Sequence, residues 1–488
     1  MRIDARRPGG GARSQARATV VGAALFALLL RVPAWAAAPT NDEAGSSLVG
    51  HAWLAGAPGD AGAYGAYFLD RPPLLPLLYG LADVLGGLDG VRVLGAIAAV
   101  VVVVSCAWVA RVVAGSQEAA GWAAIVAAPL VSAATLLADH TYGELLAAAF
   151  TAPAVALLAT DVGRARGSWR SAAAGVLAVS GVLVKQSAFD ALVAGSLVVV
   201  VVGIAGRREA VGQWSLAVRW LGAVAIASAA LFAWALLAPG GVGAAWDAIV
   251  GFRLDVVSGG STPNAPSQLA APLVASGLLL ALAAAGAGIF GVLRGTQRLL
   301  VAAWLGAAVV GVLGGGYYWG HYLLQLVAPA AVGAGVWLAG RRPRVGAMLV
   351  GVLLVLGIAG PALRSAMPHS GSLDDAAREV GRAVEQRADR GDTIEVLYAR
   401  PGVVHASGLR STSPYLWSAM QAHAPGVESG IVERLGGAAP PTWVVRWNRP
   451  GAYGFDRDGE ISRLVDDRYR HVATVRGREL LRLRADAR

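Results

Sequence analysis

The feature that most limits what this chain can fold into is the run "VRVLGAIAAVVVVVSCAWVA", Val91 to Ala110, which is apolar or small apart from Arg92 and the pair Ser105–Cys106. That is the roughly 20 residues a helix needs to cross a bilayer. Comparable runs fall near 18–38, 119–138, 142–160, 171–185, 187–205, 219–238, 269–292, 299–316, 322–340 and 345–365. With 56% hydrophobic and 15% charged residues over 488 positions, so apolar a chain does not form a soluble globule. The expected fold class is a polytopic α-helical membrane protein of about eleven transmembrane helices.

A formal charge of +10 would fit a nucleic-acid partner, but the placement of the arginines points elsewhere. Basic clusters occupy alternate connections: the N-terminal tail, Arg111, Arg164 to Arg170, Arg207 and Arg208, Arg294 and Arg298, and Arg341 to Arg344. Alternation of this kind is the positive-inside rule, which puts these loops in the cytoplasm and, with an odd helix count, the C-terminus outside. No nucleic-acid partner is then required. Residues 1–17 read as a cytoplasmic basic tail. An alternative is a cleaved signal peptide ending at "AWAAAP"; Arg31 sits awkwardly in its apolar core, and either outcome leaves Asp42 outside. The single cysteine, Cys106, lies mid-helix and permits no internal disulfide. No Cys/His metal-ligand spacing occurs, so neither a metal nor a cofactor is expected.

From about residue 366 to 488 the character changes: charge rises and no spanning run remains. "SLDDAAREVGRAVEQ" reads as an amphipathic helix with Ala376, Val380 and Val384 on one stripe, and "TIEVLYA", "TWVVRW", "HVATV" and "LLRLR" read as short strands. A small extracytoplasmic α/β domain follows, expected to act as a lid or acceptor-docking module.

The polar groups that topology does not explain sit at outward turns. Asp42, Glu43, Asp70 and Arg71 lie in the first outer loop (39–90), where short interfacial helices are expected, "SSLVGHAWLAG" as an amphipathic one. Asp139, His140 and Glu144 follow the third run; Lys185, Gln186 and Asp190 follow the fifth; Tyr317, Tyr318, His321 and Tyr322 follow the ninth. Ionisable groups at membrane depth are costly unless paired or facing a wet cavity, so four such turns on one side predict one cavity at the outer leaflet. Taken singly, each group has a plainer reading as a snorkelling interfacial residue. Asp42 likewise has a plainer reading as a helix cap. Arg71, held before the diproline Pro72–Pro73, suits a lipid phosphate, because a guanidinium donates paired hydrogen bonds to phosphate oxygens. The Pro/Ser-rich stretch Thr262 to Ser267 is a candidate moving lid.

In their order and outward placement, "NDE", "DRPPLLPLLY", "GELLAAAF", "LVKQSA" and "HYLLQLVAP" resemble the GT-C superfamily of membrane glycosyltransferases. The likeness is to the protein O-mannosyltransferase and aminoarabinose-transferase type, over most of 18–365. The resemblance implies an inverting transfer of a sugar from a polyprenyl-phosphate donor to a hydroxyl of a glycan, lipid or protein acceptor at the outer face of a bacterial plasma membrane. It gives Asp42 the role of general base, with Glu43 beside it. Arg71 would contact the donor phosphate. Lys185, His321 and Tyr322 would lie near the phosphate or sugar, and either Glu144 or Asp139 would be the second acidic position. Such enzymes often carry lysine before the diproline, where this chain has arginine. The alternative from another class is a membrane transporter or lipid flippase with an outward polar cavity.

Overall fold

The structure is a computed structural model that describes residues 10–164, 167–205, 210–258, 266–341, 343–365 and 372–487. Each apolar run carries a helix. In chain order these are α1 (Gly10–Trp35), α2 (Asn41–Leu54), α3 (Leu74–Ala114), α4 (Gln117–Leu130), α5 (Gly143–Val162), α6 (Trp169–Val184), α7 (Asp190–Ala205) and α8 (Ala210–Leu237). There follow α9 (Gly241–Trp246), α10 (Phe252–Ser258), α11 (Ala270–Ala275), α12 (Leu278–Gly291), α13 (Gly295–Gly314), α14 (Leu324–Leu338) and α15 (Pro343–Ser365). Arg207 and Arg208 of the basic clusters, and Thr262–Ala265 of the candidate lid, lie outside the described residues.

Among the described residues, seven helices are long and apolar enough to cross a membrane. An eighth arises if the segments Pro266–Ala275 and Leu278–Gly291, bent by 87°, form one span. Helices α6 and α7 are apolar but shorter. These are the helices of a multi-pass membrane protein. The spans recognised by length and composition fall short of eleven because several runs stop early at polar turns. Helix α4 ends at Leu130, and the chain continues through a single 3-10 turn, Ala134–Leu136; α6 ends before Lys185.

Small residues set the spacing between helices. A methyl group on Gly288 of α12 would come within 2.0 Å of the Gly333 carbonyl of α14, so these backbones touch, as membrane helices do where side chains are absent. In the first outer loop, α3 starts directly after Pro72–Pro73, whose fixed φ suits a first helical turn. It is then interrupted at Gly86 and Gly87, the latter at φ 58°. Helix α2 is packed rather than amphipathic: Glu43, Ala44, Gly45, Ser46, Ser47, Val49 and Gly50 are all buried. A side chain on Gly50 would collide with Pro76 and Gly80 at the head of α3, so α2 lies flush on that segment.

The C-terminal part opens with α16 (Ser372–Glu385), which buries Ala377, Val380 and Val384. A five-stranded mixed sheet runs in the order β2–β1–β3–β5–β4, formed by β1 (Thr393–Leu397), β2 (Arg410–Ser411), β3 (Trp443–Arg446), β4 (Tyr469–Val475) and β5 (Arg478–Leu483). β1 pairs in parallel with β2 and β3, and β5 is antiparallel to β3 and β4. Its core residues Val380, Ile394, Trp443 and Leu480 belong to the same contiguous apolar cluster as Val49, Tyr67 and Leu69 of the first outer loop.

Candidate active site

The tetrapeptide Thr40–Glu43 begins α2 as a reciprocal cap. Thr40 Oγ1 accepts from the Glu43 amide at 3.2 Å, and the Glu43 carboxylate accepts from the Thr40 amide at 3.0 Å. Glu43 is fully buried; it also accepts from the Thr141 amide at 3.0 Å and lies 3.2 Å from His140 Nδ1. The carboxylate is spent on ordering α2 against the 131–142 turn, and it does not line the cavity described below. Burial pushes the Glu43 carboxyl up, but the His140 charge and hydrogen bond and the two amides outweigh it and bring it from 4.5 down to about 2. Burial pushes His140 down, and Glu43 outweighs that, so the imidazole is raised above 6.5.

The linkage is two-sided. The lowered carboxyl contributes stability that is complete above 4.5 and lost as pH falls toward 2; the raised imidazole contributes stability that is complete below 6.5 and lost as pH rises through its folded value. Thermal unfolding of the wild type and Glu43→Gln is therefore expected to differ more at about pH 5.5 than at about pH 8.5. An equal difference at both would show that the imidazole does not change its charge in the fold between these two pH values.

Asp42, one residue earlier, faces a cavity of about 310 Å³. Its side chain is 34% exposed, against 2% for Glu144, so it is the carboxylate of this pair with room for an incoming group. His321 Nε2 stands 3.9 Å from Asp42 Oδ2 and 3.6 Å from Glu144 Oε1, with its ring stacked on Tyr142 at 4.2 Å. Glu144 also ion-pairs with Lys185, whose ammonium lies 3.8 Å over the Tyr322 ring. Asp70 is clamped between two guanidiniums, Arg71 at 2.7 Å and Arg253 at 2.5 Å. Arg253 in turn lies 4.5 Å over the Tyr317 ring. Burial works against the Arg71 cation most strongly, but Asp70 together with Tyr322, Asp42 and Glu144 outweighs it and raises the pKa. Arg71 and Arg253, both half-buried, line the cavity, so on this wall two cations share one carboxylate.

The sequence-selected residues thus separate. Asp42, Arg71, Glu144, His321 and Tyr322 line the cavity; Lys185 stands behind Glu144 and Tyr322; Asp139 pairs with Arg364 at 3.2 Å and does not line it. Gln186 donates to the Asp70 carbonyl at 3.1 Å. Asp190 accepts from the Ala191 amide and Trp304 instead. Among the lining residues that escaped the sequence reading are Arg253, Arg364, Asp374, Arg400 and Trp417, together with Tyr142, on which His321 stacks. Arg253 and Arg364 carried a signal, since one lies on a connection assigned to the outer side and the other at the outer end of the last run, where positive-inside does not put them. Among the described residues, no group of three or more His, Cys, Asp or Glu is placed to hold a metal ion.

No protein-family model matches the sequence, and no curated protein does. Among solved structures, the chain is similar to ArnT from Cupriavidus metallidurans bound to undecaprenyl phosphate, with a TM-score of 0.65, 13% identity, and coverage of 98% of this chain and 99% of that one. The apo state of the same protein gives 0.62 at 14% identity, covering 97% and 99%. The Archaeoglobus fulgidus oligosaccharyltransferase in the apo form gives 0.54 at 14% identity, covering 88% of this chain and 69% of that one.

Proposed function

Because this chain has the GT-C fold of membrane glycosyltransferases, we propose that it is an inverting glycosyltransferase moving a sugar from a polyprenyl phosphate to an acceptor hydroxyl at the outer face of the membrane. The observation that carries the reading is the cavity's lining: an accessible carboxylate, Asp42, shares it with Arg71 and Arg253, two cations set against the single carboxylate of Asp70. Asp42 takes the proton of the acceptor hydroxyl as general base. The acceptor oxygen then bonds to the anomeric carbon as the carbon–oxygen bond to phosphate breaks on the opposite face. The electron pair leaves with polyprenyl phosphate, whose charge Arg71 and Arg253 stabilise. His321 and Tyr322 border the sugar; Glu144, neutralised by Lys185, holds His321 in place. Undecaprenyl phosphate, the ligand held in the ArnT structure, is of the class this pair of cations suits.

We further assign residues 18–365 as the membrane unit with eleven crossings, 1–17 as a cytoplasmic tail and 366–488 as an extracytoplasmic unit, which puts the cavity outside. A lipid flippase would also need an outward polar cavity. The two readings part in detergent, where there is no second side to transport to. Purified protein given polyprenyl-phosphate sugars and acceptor extracts is expected to release polyprenyl phosphate there. Movement of intact donor across proteoliposomes without release in detergent would replace the enzyme with the flippase.

A further inference from the structure

The cavity has a second wall, made by the C-terminal unit, which the donor reading does not use. It contributes Asp374 from α16, Arg400 just after β1, and Trp417, Ser418 and Met420. Asp42 is the meeting point of the two walls: its Oδ2 faces His321, and its Oδ1 accepts a hydrogen bond from Trp417 Nε1 at 3.3 Å.

Trp417 is firmly placed. A methyl group on Gly45, the residue one turn along α2 from Asp42, would fall 2.2 Å from its indole. Only glycine lets the ring settle there. The segment bearing the indole is tied internally by Ser411, Ser413 and Gln421, the last donating to Ser413 Oγ and the Tyr415 carbonyl. It is tied to the first outer loop by Phe68, whose amide donates to the Pro414 carbonyl at 2.9 Å, and by Tyr67, whose hydroxyl accepts from the Ser411 amide at 3.2 Å.

Charge distinguishes the two walls. On the donor side Arg71, Arg253 and Lys185 face only Asp70 and Glu144. On the second wall Arg400 is matched by Asp374 at 2.6 Å, and the lining cation that α15 places near Asp374, Arg364, is matched by Asp139. Among the described lining residues no cation lacks a carboxylate there, and Asp42 adds a negative charge, so the wall offers an anionic acceptor no free cation. What remains is a carboxylate–guanidinium pair and an indole lining the same cavity. Arg400 Nε is buried without a hydrogen-bond partner among the described residues, its guanidinium lying 5.3 Å over the Trp447 ring. Carboxylate oxygens accept from hydroxyls, guanidinium N–H groups donate to them, and an aromatic face covers the C–H face of a sugar ring.

We propose that this second wall is the acceptor subsite, that it takes a neutral carbohydrate, and that Trp417 both carries the sugar ring and fixes the orientation of Asp42. The inference rests on the glycosyltransferase reading and narrows it. Trp417 acts on Asp42 as a positioning residue, so its two parts separate by substitution. Trp417→Phe keeps the ring and removes the N–H; Trp417→Leu removes both.

The test uses the full chain in nanodiscs. Binding comes first because it needs no turnover: mannotriose, maltotriose and cellotriose are titrated against wild type, Trp417→Leu and Asp374→Asn. At least one trisaccharide is expected to bind wild type, and both variants to weaken it about tenfold, the scale of one lost stacking or hydrogen-bonding group. In turnover with a polyprenyl-phosphate sugar, Trp417→Leu is expected to raise the acceptor KM with the donor KM unchanged. Trp417→Phe is expected to lower kcat with the acceptor KM unchanged. The unchanged donor KM shows in the same experiment that the variants have folded. Binding of no trisaccharide, equal binding by all three proteins, or transfer only to a phosphorylated glycolipid or a serine peptide would each overturn the subsite. Donor cleavage by wild type with no effect of Trp417 or Asp374 would overturn this inference alone. Trisaccharide binding without any donor cleavage would support the subsite while overturning the transferase reading.

Discussion

Asp42→Asn is expected to lower sugar transfer by about 10³-fold, within the roughly 10²–10⁴ range that a positioned general base contributes. The substitution is nearly isosteric, and Asn Oδ1 still accepts from Trp417, whose hydrogen bond to Asp42 measures 3.3 Å. The Thr40–Glu43 cap that starts α2 is untouched. Folding and donor binding should therefore survive, and the loss should fall on kcat with the donor KM held. Initial rates of polyprenyl-phosphate release by the two proteins, alongside donor binding measured directly, decide the matter. Equal rates would remove Asp42 from the chemistry; lost donor binding would move it to the phosphate wall.

The second large effect is expected at the Arg71–Asp70–Arg253 clamp. A hydrogen bond to a charged group is worth about 1.5–3 kcal/mol, so Arg253→Met should raise the donor KM roughly ten- to a hundred-fold. Arg71→Met should do the same. The double variant is a different case. Asp70 is 3% exposed, and without either partner it becomes an isolated buried charge, a change that costs about 3–5 kcal/mol. That protein should unfold at markedly lower temperature. Adding Asp70→Asn to it should recover the melting temperature and leave donor binding lost, because the fold needs only that the Asp70 charge be compensated while the phosphate needs the cations. If the triple variant bound donor as wild type does, the phosphate would belong elsewhere.

The fold was largely legible because crossing a membrane demands long apolar runs, and such runs are visible without any knowledge of tertiary contacts. The gathering of Asp42, Arg71, Glu144, His321 and Tyr322 on one cavity was legible for a related reason: charge near a bilayer is expensive, and alternating arginines sort the turns by side. The division of labour between Asp42 and Glu43 was harder. Successive residues on a helix point about 100° apart, so the cavity receives one of them and the interior the other. The pattern Thr40-x-x-Glu43 is a capping-box signature, and that spacing by itself tells the two carboxylates apart. Lys185 and Glu144 were both recognised, but not that each neutralises the other. Trp417, Asp374 and Arg400 were out of reach. Nothing local ties residue 417 to residue 42; their meeting depends on the docking of β2 and the loop after it onto Tyr67 and Phe68.

The apolar cluster that runs unbroken from Val49 and Tyr67 into Val380, Ile394 and Trp443 bears on how this protein can be recombined. Under the transferase reading proposed above, exchange of C-terminal units would be the obvious way to graft a new acceptor preference. Here a cut after α15 would divide a single interior, leaving mismatched surfaces on both pieces. A workable graft would carry α2, the 62–69 stretch and the C-terminal unit together, with Gly45 retained to seat the incoming indole. The unit of inheritance is then a discontinuous module, assembled from two distant parts of the chain.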